Sequence, residues 1–151
     1  MVCEHTLGIA LTLPAGWKRL PPSKVAPHEI DLVRPGSGVT YNLRLVIRPF
    51  SVTSLSNSLA SARLAANKFI AAERATGVTQ RSARYAGSPA IVLRGLPGPG
   101  PAADILLAHG RYVYLIIVPG RTVGADQQAA LSSLRFIPRI GPFPGNVGGG
   151  R

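Results

Sequence analysis

The stretch Gly87-Ser-Pro-Ala-Ile-Val-Leu-Arg-Gly-Leu-Pro-Gly-Pro-Gly-Pro-Ala-Ala-Asp-Ile-Leu-Leu-Ala-His-Gly-Arg-Tyr-Val-Tyr-Leu-Ile-Ile-Val118 decides the fold. Glycine and proline divide it into three apolar runs of strand length, which predict three consecutive antiparallel strands. Side chains alternate between the two faces of a strand, and the last run is apolar on both faces. Those faces carry Val113, Leu115 and Ile117 on one side and Tyr112, Tyr114, Ile116 and Val118 on the other. We therefore expect this run to be a central strand, covered above and below.

The patterns on either side of this stretch predict further strands and two helices. Large apolar residues recur at every second position from Leu7 to Leu13, as expected of a strand with one buried face. Between residues 54 and 76 apolar residues recur every three or four positions, with Thr53 or Ser54 as the expected cap and Gly77 as the expected end. The other predictions are strands at 28–33, 40–49 and 78–86, a loop at 18–27, a helix at about 123–134 and a short extended piece at 135–138.

The order of these elements predicts the fold class. Most connections between the predicted strands are too short for parallel crossovers, so the sheet is expected to be mainly antiparallel. The long helix covers one face and the second helix the other, with Val123, Ala130, Leu131 and Leu134 pointing inward. We expect an α/β/α sandwich of the α+β class, with about six or seven strands in one sheet. It forms a single domain over residues 1–138, followed by a Gly/Pro-rich flexible tail at 139–151.

Composition limits the class of protein. Of the 151 residues, 46% are hydrophobic and 15% are charged, which favours a folded chain over a disordered one. No apolar run is long enough to span a bilayer. Cys3 is the single cysteine, so an internal disulfide is excluded. We expect an extracytoplasmic protein whose targeting segment has been removed, in preference to a cytoplasmic one.

The charge is strongly basic and suggests a hypothesis about binding. Seventeen basic residues against six acidic ones give a net charge of +11, which attracts polyanions such as nucleic acid or cell-wall polymers. The simpler interpretation is that the arginine-rich surface increases the solubility of the protein. A specific anion site would need the arginines to converge on one face beside Tyr41 or Tyr85, on which a ligand could stack. The candidates are Arg44, Arg48, Arg81, Arg84, Arg94 and Arg111.

Trp17 is interpreted first as a residue of the core edge. Its ring would bury a large apolar area, and its indole N–H would donate to a carbonyl group. Stacking on a ligand is the alternative.

Catalytic and metal-binding patterns are weak in this sequence. The glycine-rich segment Gly95–Gly100 joins strand to strand and opens no helix, so it predicts a hairpin tip and not a phosphate loop. Zinc could in principle gather Cys3, His5 and His28, but their spacing matches no metal motif. Ser88, Asp104 and His109 lack the setting of a hydrolase site, and His109 is expected in a turn. We expect a protein that is not an enzyme and has no cofactor or metal.

The order of the elements resembles the PsbP-like family, whose fold is shared by the Ran-binding Mog protein and by DcrB and Eag-type bacterial proteins. The resemblance covers residues 5–138. It depends on Gly8–Trp17, Tyr41–Arg48 before the long helix, Gly87–Ala90 before a strand ending at Arg94, Gly110–Leu115 and Leu131–Ile137.

The resemblance implies an α/β/α sandwich and a non-catalytic protein-binding or assembly module. The partner is therefore expected to be another protein. Two alternatives stay open: a cytoplasmic chaperone or adaptor that shelters an apolar segment of a partner, and a basic protein that binds polyanions. The first requires a large exposed apolar patch.

Overall fold

The computed structural model describes residues 1–22, 24–49 and 58–142. Within these ranges the chain forms ten strands and two helices. The strands are β1 (Val2–Glu4), β2 (Ile9–Leu11), β3 (Lys18–Arg19), β4 (Glu29–Val33), β5 (Leu43–Pro49), β6 (Thr79–Tyr85), β7 (Ser88–Arg94), β8 (Ala102–His109), β9 (Tyr112–Pro119) and β10 (Arg135–Phe136), and the helices are α1 (Leu59–Ala72) and α2 (Ala125–Ser132). Neither helix in the described part of the chain is long and apolar enough to cross a membrane.

Seven strands form one antiparallel sheet in the order β3-β4-β5-β9-β8-β7-β6. The strands β7, β8 and β9 are the three apolar runs of the stretch Gly87–Val118, and β9 lies in the middle of the sheet. The prediction of three consecutive antiparallel strands, the last of them central, is confirmed. The chain is an α+β protein with a mainly antiparallel central sheet and two helices, as the sequence predicted.

Both faces of the sheet are covered, by different layers. Helix α1 packs its buried Ala62 and Ala66 on one face, against residues that include Leu106 and Leu115. Helix α2 packs Ala130, Leu131 and the following Leu134 on the other face, as predicted. We call these two sides of the large sheet the α1 face and the α2 face.

The α2 face carries a second layer that the sequence pattern did not indicate. Strands β1, β2 and β10 form a separate three-stranded sheet, whereas residues 6–14 were expected to extend the main sheet. In β2, Ile9, Ala10 and Leu11 are all buried. The period of two seen in the larger apolar residues hides the buried Ala10, because alanine does not stand out in such a pattern. Strand β2 therefore has no solvent-exposed face and lies within the core.

Two short strands also escaped prediction. Strand β3 lies in the segment 18–27 that was expected to be a loop, and β1 precedes the first predicted element. Each has only two or three residues, too few for a periodic pattern to appear. They are strands because β4 and β2 supply partners for their backbone groups.

Helix α1 ends earlier than predicted. It begins after Ser58, whose hydroxyl oxygen accepts a hydrogen bond from the N–H of Ser61 at 3.2 Å. The predicted caps Thr53 and Ser54, and the apolar Leu55, lie outside the described residues. At the other end Glu73 is the cap, four residues before the expected Gly77.

Helix α1 cannot continue past its cap because the next residue, Arg74, has a left-handed backbone with φ of 51°. Its N–H donates to the carbonyl of Ala71, and the N–H of Ala75 donates to the carbonyl of Ile70. This is the Schellman arrangement, in which glycine is the usual residue at the left-handed position. An arginine there gives no sequence signal, so the prediction placed the end at the nearest glycine.

Replacing Arg74 with glycine is expected to stabilise the protein by about 1 kcal/mol, because glycine adopts a left-handed backbone without steric strain. Thermal and urea unfolding of the variant would measure the effect. The control is Ala71→Gly within the same last turn, where the backbone is helical and glycine should destabilise by about 1 kcal/mol. Destabilisation by both variants would contradict the assignment of Arg74 as the end of the helix.

The folded domain extends past the predicted boundary at residue 138. The guanidinium of Arg139 donates through Nε to the carbonyl of Thr6 at 3.1 Å and through Nη1 to the hydroxyl of Tyr112 at 2.7 Å. The N–H of Ile140 donates to the carbonyl of His5 at 2.9 Å. These two residues belong to the domain and not to a tail. The remainder of the predicted tail from residue 143 lies outside the described residues.

Candidate functional site

The six arginines proposed as an anion site do not form one patch. Strand alternation places Arg44 and Arg48 of β5 on the α1 face together with Val46. Arg84 shares that face but lies on β6, at the far edge of the sheet. The remaining three are Arg81 and Arg94 on the α2 face and Arg111 in the turn between β8 and β9.

Arg44 is already occupied by neighbouring side chains. Its Nε lies 2.7 Å from Oδ1 of Asp31 and 3.4 Å from Oε2 of Glu29, and its Nη2 donates to Oδ2 of Asp31 at 3.0 Å. The guanidinium also lies 4.0 Å from the ring centre of Tyr41. The hydrogen bond to Asp31 raises the pKa of Arg44 further above its usual range. This group cross-links β4 and β5, and Tyr41 stacks on it instead of on a ligand.

Three of the predicted binding residues do come together, around a cavity on the α2 face. Arg81, Tyr85 and Arg94 line it, and its volume is about 250 Å³. The other lining residues are Thr79, Val92, Ala103, Ile105 and Val123. We call this space the β6 cavity, because its outer wall is the edge strand β6.

The β6 cavity has an apolar floor and a basic rim. The floor is formed by Val92, Ala103 and Ile105, all of them buried members of the core. Nη1 of Arg94 donates to the carbonyl oxygen of Gly120 at 3.0 Å, which fixes this guanidinium between β7 and the segment leading to α2. Arg81 is exposed beside it, and none of the described residues that line the cavity is acidic. Such a site can bind a carboxylate or phosphate that is attached to an apolar group.

A second cavity lies at the start of α2 and is less suited to an anion. It has a volume of about 450 Å³ and is lined by Trp17, Arg34, Asn42, Pro119 and residues 124–127. The carboxylate of Asp126 lies in the first turn of the helix and opposes a negative ligand there. The side chain of Gln127 closes the same end by donating to the carbonyls of Asn42 and Pro119.

Trp17 is a core residue, as first interpreted. It is 8% exposed and packs with the α2-face core. The prediction that its indole N–H donates to a carbonyl group is wrong, because Nε1 is buried without a hydrogen-bond partner among the described residues. Trp17 also lines the second cavity, but at this burial its ring offers little exposed surface on which a ligand could stack.

The three residues considered for hydrolysis do not form one group, because Ser88 and His109 lie on the α2 face of the sheet and Asp104 does not. Asp104 lies on β8 facing α1, whereas His109 is five positions further along the same strand and therefore on the opposite face. His109 is not merely a turn residue as expected. Its ring stacks on Phe136 with the ring centres 3.6 Å apart, and burial lowers its pKa.

The described residues give no support to the hypothesis of a zinc site. Cys3 is exposed on β1. Across residues 1–22, 24–49 and 58–142, no three His, Cys, Asp or Glu side chains are grouped so as to hold a metal ion.

Comparisons with known proteins give a likeness in fold. No family model matches this chain, and no curated protein matches it. A crystal structure from Bacteroides thetaiotaomicron VPI-5482 is similar, with a TM-score of 0.53 and 8% sequence identity. The match covers 88% of this chain and 46% of that one, so the chain spans about half the length of the protein it resembles. At this identity the likeness shows the fold alone.

Proposed function

We propose that this chain is a non-catalytic protein-binding module of PsbP-like type, and that it holds an anionic group of its partner in the β6 cavity. The observation that carries the proposal is that Arg81 and Arg94 both line a cavity whose floor consists of buried apolar side chains. Guanidinium groups recognise carboxylates through paired hydrogen bonds, and Tyr85 supplies a ring at the same site. Arginine and tyrosine are also among the residues most enriched at the centres of protein interfaces. Display outside the membrane remains part of this proposal.

The two alternative functions have less support. Sheltering an apolar segment would need a continuous exposed apolar patch. The large exposed apolar side chains in the described part of the chain are instead Met1, Val25, Val39, Leu64 and Ile140, which come from five different segments. Polyanion binding needs converging arginines, and the six candidates divide between two faces and a turn.

The proposal predicts that Arg81→Glu weakens partner binding by about tenfold or more, because a repulsive charge then replaces an attractive one at the cavity. The immobilised protein would be exposed to an extract of its source cells and washed at high salt, and the retained proteins quantified. Arg63→Glu is the matched control, since it makes the same change of charge at an exposed position of helix α1, on the opposite side of the sheet from the β6 cavity.

Three results are distinguishable. Retention of a discrete protein by the wild type and Arg63→Glu, with loss by Arg81→Glu, would support the β6 cavity. Equal loss by both variants would mean that only the overall positive charge attracts the partner. Equal retention by both would place the binding surface elsewhere.

A further inference from the structure

Strand β6 forms an open edge of the large sheet. It is seven residues long and stands last in the strand order, with β7 as its hydrogen-bonded neighbour. No strand or helix in the described ranges pairs with its other side. Thr79, Gln80, Arg81, Ser82 and Arg84 are all exposed. An edge of this length carries a row of backbone donors and acceptors that another extended chain can use.

The turn after β6 determines which backbone groups face outward. Ala86 and Gly87 both have positive φ, 53° and 76°, and they connect the paired residues Tyr85 and Ser88. This is a two-residue turn of type I′, whose closing pair exchanges both backbone hydrogen bonds. Alternation along β6 then directs the backbone groups of Tyr85, Ala83, Arg81 and Thr79 toward β7. Those of Gln80, Ser82 and Arg84 point outward.

The charges along this edge select the kind of strand that can pair with it. Arg81 lies on the α2 face and Arg84 on the α1 face, so an added strand meets a guanidinium on each side. A second copy of this chain would bring its own arginines to the same place and its own net charge of +11. A strand with carboxylates would instead form cross-strand ion pairs.

We propose that an extended acidic segment of the partner protein adds to β6 as a further antiparallel or parallel strand. The proposal rests on the proposed function and specifies its partner. Backbone groups of Gln80, Ser82 and Arg84 bind the added strand, and Arg81 binds a carboxylate on the side of the β6 cavity. This is β-strand addition, in which the main chain supplies affinity and neighbouring side-chain sites supply specificity.

A synthetic peptide tests the proposal directly. The probe is a fluorescein-labelled ten-residue peptide of alternating Glu and Thr, and its companion alternates Glu and Pro. Both peptides carry the same charge, but proline has no N–H and cannot pair as a strand. We expect the Glu-Thr peptide to bind about tenfold more tightly or better in fluorescence anisotropy. It should also slow hydrogen exchange at the amides of Gln80, Ser82 and Arg84.

The decisive variant is Ser82→Pro, which removes one outward N–H while leaving the hydrogen bonds to β7. Proline is tolerated on an edge strand when its missing N–H faces solvent, so the variant should fold. Ser82→Ala is its control, because it keeps the N–H. Binding of the Glu-Thr peptide should fall about tenfold in Ser82→Pro and remain in Ser82→Ala. If Ser82→Pro does not fold, the hydrogen-exchange pattern of the wild type decides the question alone.

The opposing outcomes separate this proposal from the proposed function. Equal binding of the two peptides, or binding of neither, would overturn strand addition by an acidic segment. A wild-type dimer in sedimentation that Ser82→Pro disrupts would make a second copy the occupant, and would equally overturn it. If the captured partner is lost by Arg81→Glu but kept by Ser82→Pro, the β6 cavity stands and strand addition falls. If both variants keep the partner, the proposed function itself fails.

Discussion

Replacing Tyr114 with alanine is expected to lower the free energy of unfolding by about 3–5 kcal/mol, the usual cost of deleting a buried aromatic ring. Tyr114 lies on β9 and is 1% exposed. Its ring meets that of Phe136 edge to face at 5.0 Å, and its hydroxyl donates to the carbonyl oxygen of Leu7 at 2.9 Å. Burial raises its pKa to about 12, so the hydroxyl stays a neutral donor at ordinary pH. One side chain therefore fastens the small sheet to the large one.

Urea unfolding of Tyr114→Ala and Tyr114→Phe would measure this attachment. The phenylalanine variant keeps the ring and removes the hydroxyl, which leaves the buried carbonyl of Leu7 without this donor. It should cost about 1–2 kcal/mol. A loss below about 1 kcal/mol in the alanine variant would show that Tyr114 does not join the two sheets.

The second large effect is expected at Asp104, where Asp104→Asn should stabilise the protein at pH 8 by about 2–3 kcal/mol. This carboxyl lies on β8 facing α1, and its residue is 8% exposed. Burial raises its pKa from 3.8 to about 6, and the charge of Glu73 adds to the shift. The folded state therefore holds the proton more tightly than the unfolded state. The resulting stability is complete below pH 3.8 and is lost as pH rises through about 6.

Unfolding free energies measured at pH 4 and pH 8 would test the assignment. Asparagine stays neutral at both values, so the variant should gain stability over the wild type at pH 8 and show little difference at pH 4. Glu73→Gln is the control for the neighbouring charge and should have the smaller effect, because burial is the larger cause. Equal pH dependence in the wild type and Asp104→Asn would mean that Asp104 does not titrate in this range.

The central strand was predictable because both of its faces are apolar. Val113, Leu115 and Ile117 meet the α1 layer and Tyr114, Ile116 and Val118 the other core, as their alternation indicated. The small sheet was not predictable in the same way. Its strands have two or three residues, and what makes them strands is pairing between the two ends of the chain. Long-range pairing leaves no local periodicity.

The candidate site was predicted only in part, for a related reason. The sequence singled out Arg81, Tyr85 and Arg94 as members of larger sets of arginines and aromatic residues, with nothing to separate them from Arg44 or Arg84. Sheet register makes the distinction, because it places those three on one face beside Val123. The open edge of β6 had no signal at all, since a strand becomes an edge only through the order of the whole sheet.

The pairing of β5 with β9 leaves the chain prone to aggregation during part of its synthesis. They are adjacent in the sheet, although α1 and the strands β6, β7 and β8 separate them along the chain. A growing polypeptide therefore completes β4 and β5 long before β9 leaves the ribosome. Until then one side of β5 exposes unpaired backbone groups next to the apolar side chains of Leu45 and Ile47, which are fully buried in the finished protein. Nascent chains of this kind are most prone to aggregate, and most in need of a chaperone, at that stage.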